Sequence, residues 1–562
     1  MKKTVYIDLM ERVMDAYTDE HIRAYTKRVI KNGIEEHGYP RLTANLGILI
    51  AHGRKTEYKD EFRKMMDMCC REIPVALGKN GWSAGNDFSV KEIVFCLLEI
   101  ENAGIFEKTV TDGWRKYLSE IDPYKTYSVI ASVPPERVNN WAAFGAASEQ
   151  TRKYAGIGDE SSFIENQIKS QLLSFDEKGM YRDPNEPMVY DYATRLQLAT
   201  ALYFGYDGES KKALEDELLK SADITLDMQS VTGEIPFGGR SNQFLHNETA
   251  YAALFEFYAD IFKKRGDIKK AGKFKNAARI AVDSIMPWLK QGEIYHIKNC
   301  YANDSMFGCE KYAYFDKYMI TTASWLYLAY AMADDGIEEV DCPAISKNYI
   351  CETSHYFHKV MCKFGDYFVE FDTKADEHYD ASGLGRIHKK GAPSAICLSV
   401  PFSGHPNYVL DIENPSQFSV CPGIKTNDGY EYTFSPQAEY TLVEKNIQDQ
   451  FIRLKFELKT ENGTTLYETC TISDGGVEIN ASGEGEIEIL FPMFEFDGKN
   501  HTNISVSEKS AVISYKGYKC IYSTDSIITD KKTVYANRNG HYNAAAAIGN
   551  NSVLLKIEIV KE

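Results

Sequence analysis

The sequence predicts a two-part fold, in which an N-terminal (α/α) toroid is followed by a C-terminal antiparallel β-sandwich. Hydrophobic residues recur at three- and four-residue spacing up to about residue 335, and at two-residue spacing after about residue 350. A chain of 562 residues is also too long for one compact core. We therefore expect two domains, with the toroid over residues 1–340 and the sandwich over residues 350–562.

The N-terminal half repeats one helical pattern between short turns rich in Gly, Pro, Asn and Asp. In the run that begins at Tyr251, the side chains of Leu254, Phe257, Tyr258 and Ile261 form one face of a helix. The same spacing predicts further helices over 91–104, 193–208 and 321–336. Helices joined by short turns indicate antiparallel hairpins in series, which form an incomplete barrel of helical hairpins.

The C-terminal half consists of short alternating or β-branched segments with no helical pattern between them. The predicted strands are 367–373, 440–446, 451–458, 465–473, 477–483 and 552–560. Many short strands without intervening helices predict a sandwich. The acidic, proline-containing stretch 334–348 is the expected boundary between the two halves.

Composition and charge exclude several classes of partner. Lys and Arg number 64 against 81 Asp and Glu, and this net charge of −17 argues against nucleic acid and against anionic membranes. It still allows an anionic substrate held by a few local cations. The N-terminal segment has no apolar signal core, no run approaches ~20 apolar residues, and the twelve cysteines are scattered. We expect a reduced, cytoplasmic protein that needs no cofactor; a homo-oligomer stays open.

The combination of a helical toroid and a β-sandwich resembles the heparinase II/III-like and oligoalginate polysaccharide lyases. The resemblance covers nearly the whole chain in architecture but only scattered residues in motif. It implies an enzyme that cleaves uronic-acid-containing oligosaccharides by β-elimination. In such lyases an asparagine neutralises the substrate carboxylate, and a histidine or tyrosine removes the C5 proton of the uronate. The sandwich sends a further tyrosine or histidine into the toroid cleft.

The stretch GGRSNQFLHNETAY concentrates polar side chains between a glycine pair and a helix. Asn247 is placed to cap a helix that begins at Glu248, which explains it without any chemistry. Capping does not explain Arg240, Asn242 and His246. Arg240 and Asn242 would stabilise the charge that develops on the uronate, and His246 has a pKa suited to a general base. A purely structural polar loop is the alternative.

The stretch MVYDYATRLQLA places two tyrosines at the start of a predicted helix. Tyr190 or Tyr192 would be the acid that protonates the leaving oxygen, and the sequence does not choose between them. Asp191 and Arg195 are spaced for an ion pair along one helix face.

Two further stretches supply side chains for sugar binding. Asn140 and Trp141 open a predicted helix, where the indole would stack on a sugar ring. Tyr312, Tyr314 and Tyr318 follow one another at helical spacing and would line a sugar cleft. Packing in the core is the alternative for both stretches.

A glycoside hydrolase of similar toroid architecture is the second hypothesis for the function. Its mechanism needs a carboxylate pair in the cleft. The candidates are Glu149, Asp191 and Glu248, each near a predicted helix start. A non-catalytic carbohydrate-binding protein is a third hypothesis, which the many ionisable residues at helix starts disfavour.

The β-half contains one dense cluster of cations, EHYDASGLGRIHKKGAPSA. By the resemblance, Tyr379, Arg386 and His388 are the side chains expected to enter the toroid cleft. The alternative is a solvated hairpin turn.

The stretch CETSHYFHKVMC places four side chains that can bind zinc within twelve residues. They are Cys351, His355, His358 and Cys362. Their spacing is not that of a standard zinc finger, and a two-residue period would direct the two histidines to opposite faces of a strand. We therefore predict no metal here, with zinc as the alternative.

Overall fold

The computed structural model of the protein describes residues 1–75, 85–134 and 137–562. The predicted helical toroid and antiparallel β-sandwich are confirmed. The helices are α1 (Thr4–Met14), α2 (Asp19–Asn32), α3 (Gly38–Ala51), α4 (Lys59–Glu72), α5 (Asn86–Asn102), α6 (Lys108–Leu118), α7 (Pro123–Thr126), α8 (Ser128–Ser132), α9 (Asn140–Tyr154), α10 (Ser161–Leu172), α11 (Met188–Tyr203), α12 (Lys211–Lys220), α13 (Ala222–Asp227), α14 (Leu245–Lys264), α15 (Ile268–Ile285), α16 (Phe315–Met332) and α17 (Pro343–Ser346). The strands are β1 (Leu289–Lys290), β2 (Glu293–Ile294), β3 (Tyr349–Glu352), β4 (Lys359–Phe364), β5 (Tyr367–Asp372), β6 (Gly383–Lys389), β7 (Cys421–Thr426), β8 (Gly429–Tyr432), β9 (Glu439–Ile447), β10 (Ile452–Lys459), β11 (Thr465–Ser473), β12 (Gly476–Phe496), β13 (Asn503–Val506), β14 (Ser510–Tyr515), β15 (Tyr518–Ser523), β16 (Ile527–Asn537) and β17 (Gly540–Lys561).

The helical part is a ring of inner helices surrounded by outer ones. Around the ring, α3, α5, α9, α11, α14 and α16 each pack against the next, and α16 returns to α3. This contact closes the ring, so the barrel is more complete than the sequence predicts. The inner helix α3 is buried along nearly its whole length, as an apolar helix inside two layers must be. Gly47 has no room for a Cβ, which would meet the Phe62 ring at 2.4 Å.

The elements follow the predicted periods, with one correction at a helix start. The predicted helices correspond to α5, α11, α14 and α16, and the predicted strands to β5, β9, β10, β11, β12 and β17. Helix α14 begins at Leu245 rather than Glu248, and its N-cap position is Phe244. Asn247 therefore does not cap it; its side-chain amide donates to the Ser241 carbonyl at 3.0 Å. Of the helices within the described residues, none is long and apolar enough to cross a membrane.

The β-part contains a large and a small antiparallel sheet. The large sheet runs in the order β13-β14-β15-β17-β12-β11-β10-β9, with β16 on β17, β7 on β12 and β8 on β7. The small sheet runs β3-β4-β5-β6. One face of the small sheet packs on the large sheet, through residues such as Val369 and Leu384. The other face, including Met361 and Phe368, packs on Met188 of the helical part. Strands β4 and β5 are therefore buried on both faces. The division into two domains at the predicted residues stays a prediction.

Candidate active site

A cavity of about 430 Å³ lies among the inner helices α3, α9, α11, α14 and α16. Its aromatic walls are Phe88, Trp141, Phe144, Tyr190, Tyr312, Tyr318 and Trp325. Its basic side chains are His37, Arg41, Arg240, His246 and Lys317. In the part of the chain that the structure describes, the lining contains neither Asp nor Glu, and every lining residue belongs to the helical part. The cavity is thus suited to an anionic ligand with flat apolar faces.

Arg240 reaches the cavity from the site loop, which we define as residues 237–247. Its guanidinium lies 4.3 Å over the ring centroid of Tyr190, a cation–π contact. It also donates to the buried Asp183 carboxylate and, at 2.9 Å, to the Pro184 carbonyl. About a fifth of the side chain stays exposed, 22%. Arg240 is therefore fixed in place and still accessible to a ligand.

His246 occupies the first turn of α14 and lines the cavity with its ring. The imidazole packs against the aromatic rings of Tyr318 and Trp325, both at 5.1 Å between centroids. Within the described chain, its Nδ1 atom has no hydrogen-bond partner. Burial, with the nearby charge of Arg41, lowers the pKa of His246 well below its usual value. A neutral imidazole can accept a proton on its unprotonated ring nitrogen.

Arg41 and Lys317 add positive charge on the side of α3 and α16. The Arg41 guanidinium donates to Thr321 Oγ1 at 2.8 Å and to His37 Nδ1 at 3.0 Å. Its Nε lies 3.3 Å from the Glu92 carboxylate, but Lys91 shares that carboxylate at 3.2 Å. Two buried cations therefore share one anion.

Lys317 has fewer bonding partners than Arg41. In the described ranges its ammonium has no ion-pair partner within 4 Å, and burial lowers its pKa. His37 accepts from Arg41 and is neutral, since burial and then Arg41 lower its pKa well below the usual value. This side of the cavity therefore carries net positive charge.

The two tyrosines that were candidates for the acid lie in different environments. Tyr190 lines the cavity beneath Arg240 and is half-buried. Tyr192 is fully buried in the core of the helical part, where its ring meets Tyr251 at 5.1 Å. Tyr192 is therefore not a site residue, because a ligand in the cavity does not reach its hydroxyl.

The sugar-binding candidates Trp141, Asn140 and Tyr312 line the cavity, and Tyr314 does not. Trp141 lines the cavity and its ring lies 4.3 Å from that of Phe88. Asn140 is buried in the wall and donates to Asp183 at 2.7 Å, while its carbonyl oxygen has no partner among the described residues. Tyr312 also lines the cavity and its hydroxyl lies 3.0 Å from Ser241 Oγ. Tyr314 does not line it and occupies the N-cap position of α16.

Asn242 does not reach the cavity, which does not support the carboxylate-binding role predicted for it. Its amide nitrogen donates to the Pro236 carbonyl at 3.2 Å, and its oxygen accepts from Gln243 at 2.9 Å. The side chain is buried inside the site loop and holds its shape.

The three carboxylates proposed for a hydrolase are all buried in ion pairs outside the cavity. Glu149 contacts Arg152 and Tyr127, and burial raises its pKa to about 7. Asp191 forms the expected pair with Arg195, whose Nε lies 2.9 Å from it. Glu248 accepts from Lys298 at 2.6 Å. None of these carboxylates lies where a cavity-bound sugar would meet it.

The cation cluster of the β-part is built into the interface with the helical part. Arg386 is fully buried and pairs with Glu370 at 3.1 Å. His388 bonds through both ring nitrogens, to Ser230 at 2.8 Å and to Ser399 at 3.0 Å. Burial and then Arg386 lower the pKa of His388 to about 3. Neither residue lines the cavity, so the expected entry of these side chains into the cleft is not observed.

Tyr379 also lies outside the cavity, half-buried near Arg538, whose guanidinium is 6.0 Å from the ring centroid. Its predicted role in substrate binding has no support from this position.

The four residues of the zinc alternative are not brought together. Cys351 packs against the helical part and Cys362 packs into the sandwich core, on opposite faces of the small sheet. His358 bonds to Asp372 at 2.6 Å and to Glu186 at 2.8 Å, so both ring nitrogens are used. Among the described residues, no group of three or more His, Cys, Asp or Glu side chains is arranged to hold a metal ion.

The sequence pattern identified Tyr318 but not two basic cavity residues, Arg41 on α3 and Lys317 at the start of α16. Arg41 and Lys317 lie far apart in sequence and meet because α16 closes the ring against α3. One signal was present: in GYPRLTANLGILIA, Arg41 is the only charged residue of a mostly apolar helix. A buried charge of this kind needs a partner or a ligand.

No protein-family model and no curated protein matches the sequence. Among solved structures, a mutant heparan sulfate lyase from Pedobacter heparinus is similar at 9% identity and a TM-score of 0.47, over 93% of this chain and 76% of that one. A heparinase III structure has 9% identity and a TM-score of 0.39, over 85% and 77%. A glycosyl hydrolase family 88 protein from Bacteroides vulgatus has 10% identity and a TM-score of 0.39, over 59% and 99%. The function has to be argued from the site itself.

Proposed function

We propose that the protein is a carbohydrate-active enzyme, a lyase that cleaves uronate-containing oligosaccharides by β-elimination in this cavity. One observation carries the proposal: the described lining combines cations, a neutral histidine and phenols, and contains no carboxylate. Cations attract and hold a uronate carboxylate. The aromatic walls offer faces on which sugar rings can stack.

The proposed chemistry assigns one role to each accessible side chain. Arg240, with Arg41 across the cavity, holds the carboxylate and stabilises the negative charge that develops when C5 loses its proton. His246 accepts that proton, since its imidazole is neutral and its ring lines the cavity. Tyr190 gives its hydroxyl proton to the oxygen on C4 as the C4–O bond breaks. The products are a C4–C5 double bond and a free hydroxyl on the departing sugar.

The hydrolase hypothesis finds less support at this site. Hydrolysis requires carboxyl groups on the two sides of the scissile bond. Glu149, Asp191 and Glu248 are each bound to a buried cation. Removing Glu149 or Asp191 leaves that cation unpaired, whereas Lys298, the partner of Glu248, keeps Glu234 at 3.1 Å. We therefore expect these carboxylates to stabilise the fold.

The test is to incubate the protein with a panel of uronic-acid oligosaccharides and to record near-ultraviolet absorbance together with reducing ends. Elimination raises both signals, because each cleavage creates a conjugated double bond and a reducing end. New reducing ends without new absorbance would contradict the lyase proposal and favour hydrolysis. Glu149→Gln is the matched variant: a lyase keeps its kcat per folded molecule in this variant, whereas a hydrolase that uses Glu149 loses it.

A further inference from the structure

The backbone of the site loop is held by buried carboxylates at every second residue. All three acceptors are buried: Glu370 in β5, Asp380 between β5 and β6, and Glu310 before α16. The N–H groups donate as follows: Phe237 to Glu370 at 3.3 Å, Gly239 to Asp380 at 2.7 Å and Ser241 to Glu310 at 2.6 Å. Burial raises the pKa of Glu370 to about 7 and that of Asp380 to about 6, and a carboxyl oxygen accepts such a hydrogen bond in either protonation state. The loop is thus fastened along the segment that precedes His246.

Cations of the β-part hold two of these three carboxylates, Glu370 and Glu310, in turn. Arg386 pairs with Glu370 at 3.1 Å and also donates to the Ile235 carbonyl of the chain that leads into the loop. Arg538, from the turn between β16 and β17, pairs with Glu310 at 2.7 Å. The β-part therefore reaches the site loop through its buried charges, although none of its side chains lines the cavity.

The loop backbone needs such support because its conformation is unfavourable. Ser241 and Gln243 have φ values of 60° and 69°, in the left-handed region that side chains other than glycine rarely adopt. Gly239, at φ 72°, passes so close to Pro187 that a Cβ would lie 2.7 Å from the proline Cα. Residues in such conformations persist where the surrounding structure over-determines them.

We propose that Asp380, with Glu370 and Glu310, is a positioning residue: these carboxylates fix the backbone of residues 237–241 so that Arg240 and His246 face the cavity. The inference rests on the proposed function for its effect on turnover. It assigns to the β-part the role of shaping the site through the main chain.

The experiment compares Asp380→Ala with Asp380→Asn in the full chain. Asp380→Ala removes the acceptor of the Gly239 N–H, and we expect kcat to fall about 100-fold, the size of effect that a displacement of about 1 Å produces. Asp380→Asn keeps an acceptor oxygen and should restore kcat to within about tenfold of the wild type. Amide hydrogen exchange, measured without substrate, should become faster at residues 237–247 in Asp380→Ala. Where Asp380→Ala does not fold, Asp380→Glu replaces it, because the longer side chain displaces the acceptor and keeps the charge.

Glu468→Ala is the matched control, since Glu468 is a buried carboxylate of the β-part that bonds to Tyr440 at 2.6 Å, away from the site loop. It should lower stability and leave kcat and the exchange of residues 237–247 unchanged. A folded Asp380→Ala protein with unchanged exchange at residues 237–241 would overturn the positioning proposal, as would an equal loss of kcat in Glu468→Ala. If the wild type yields no unsaturated product, the proposed function is overturned but the positioning proposal is not. Hydrogen exchange is measured without substrate, so it still tests whether Asp380 fixes the backbone of the site loop.

Discussion

The site loop and strand β6 lie on the two sides of one interface, and each offers an arginine and a histidine. In the site loop, Arg240 pairs with the buried Asp183 carboxylate but stays partly exposed, and His246 has no bonding partner for Nδ1 among the described residues. In β6, Arg386 is paired with a carboxylate and His388 is bonded through both nitrogens. The comparison teaches that the partners around a side chain, more than its type, decide whether it can act on a ligand.

The two histidines provide the strongest test of this comparison. His246→Ala should lower kcat by about 10²–10⁴, the usual loss for a general base. It should lower the free energy of unfolding less than His388→Ala does, because Nδ1 of His246 has no bonded partner in the described chain to leave behind. His388→Ala should do the reverse, with kcat per folded molecule retained and stability lowered by about 1–3 kcal/mol, because buried hydroxyl partners lose their bonds. Chemical denaturation and product absorbance measure the two effects. A larger loss of kcat in His388→Ala would invert the assignment of the two regions.

Substitutions of the two arginines, Arg386 and Arg240, should likewise differ in whether they lower stability or activity. Arg386→Met leaves the Glu370 carboxylate buried without its closest cation, and we expect a loss of about 3–5 kcal/mol in the free energy of unfolding. Arg240→Met should cost about 1.5–3 kcal/mol in kcat/KM for a uronate substrate, the range for a hydrogen bond to a charged group. Its effect on stability should be smaller than that of Arg386→Met. Equal stability losses would show that Arg240 is a structural residue as well.

The pH dependence of stability sharpens the contrast between a bonded and an unbonded histidine. Burial lowers the pKa of His358, but Asp372 and then Glu186 outweigh it and raise this pKa to about 9, while Lys359 opposes them. The contribution of protonated His358 to the stability of the folded state is complete below about pH 6.5, the ordinary histidine pKa. It is lost as pH rises through about 9. The free energy of unfolding should therefore fall with pH by up to about 1.4 kcal/mol per unit between pH 7 and 9, relative to His358→Gln.

His246 is expected to behave in the opposite sense, because its pKa is lowered. The base is already neutral at pH 6.5, so kcat/KM should not fall between pH 8 and pH 6.5 through this group. A titration of activity centred near pH 7 that disappears in His246→Ala would contradict the buried, neutral imidazole.

The smallest expected effect concerns the aromatic wall. Trp141→Ala should raise KM about three- to tenfold, from the loss of one ring contact of about 0.5–1.5 kcal/mol. Trp114→Ala is the matched control, because Trp114 is buried and donates to Asp67 at 2.6 Å, outside the cavity. It should lower stability and leave KM unchanged. Equal KM values in Trp141→Ala and wild type would remove Trp141 from the substrate site.

The fold was largely predictable because its signals are local. The change of hydrophobic period separates the toroid from the sandwich, and the polar stretch at the start of α14 does contain three cavity residues, Arg240, Ser241 and His246. Asn242 lies between them in sequence but turns into the loop, because the backbone is left-handed at its neighbours Ser241 and Gln243. Side-chain direction in such a loop does not follow a simple period.

The rest of the site could not be predicted because it depends on tertiary closure. Arg41 and Lys317 meet only when α16 packs on α3. The β6 segment has the composition of an exposed basic turn, yet it is the edge strand of a sheet covered by other layers, and its charges are neutralised there. The local sequence pattern of a strand does not predict how many layers of the tertiary structure will cover it.

The small sheet β3–β6 is a layer that the two parts of the molecule share. A fragment that began at β3 would expose Met361 and Phe368 to water. It would also leave β-part side chains that bond to the helical part, such as Arg386, without those partners. The two parts should accordingly melt as one cooperative unit, and a protease should find no cut between them that releases two stable pieces. For the cavity, this means that the geometry of the site loop depends on the stability of a sheet that contributes no residue to the described lining.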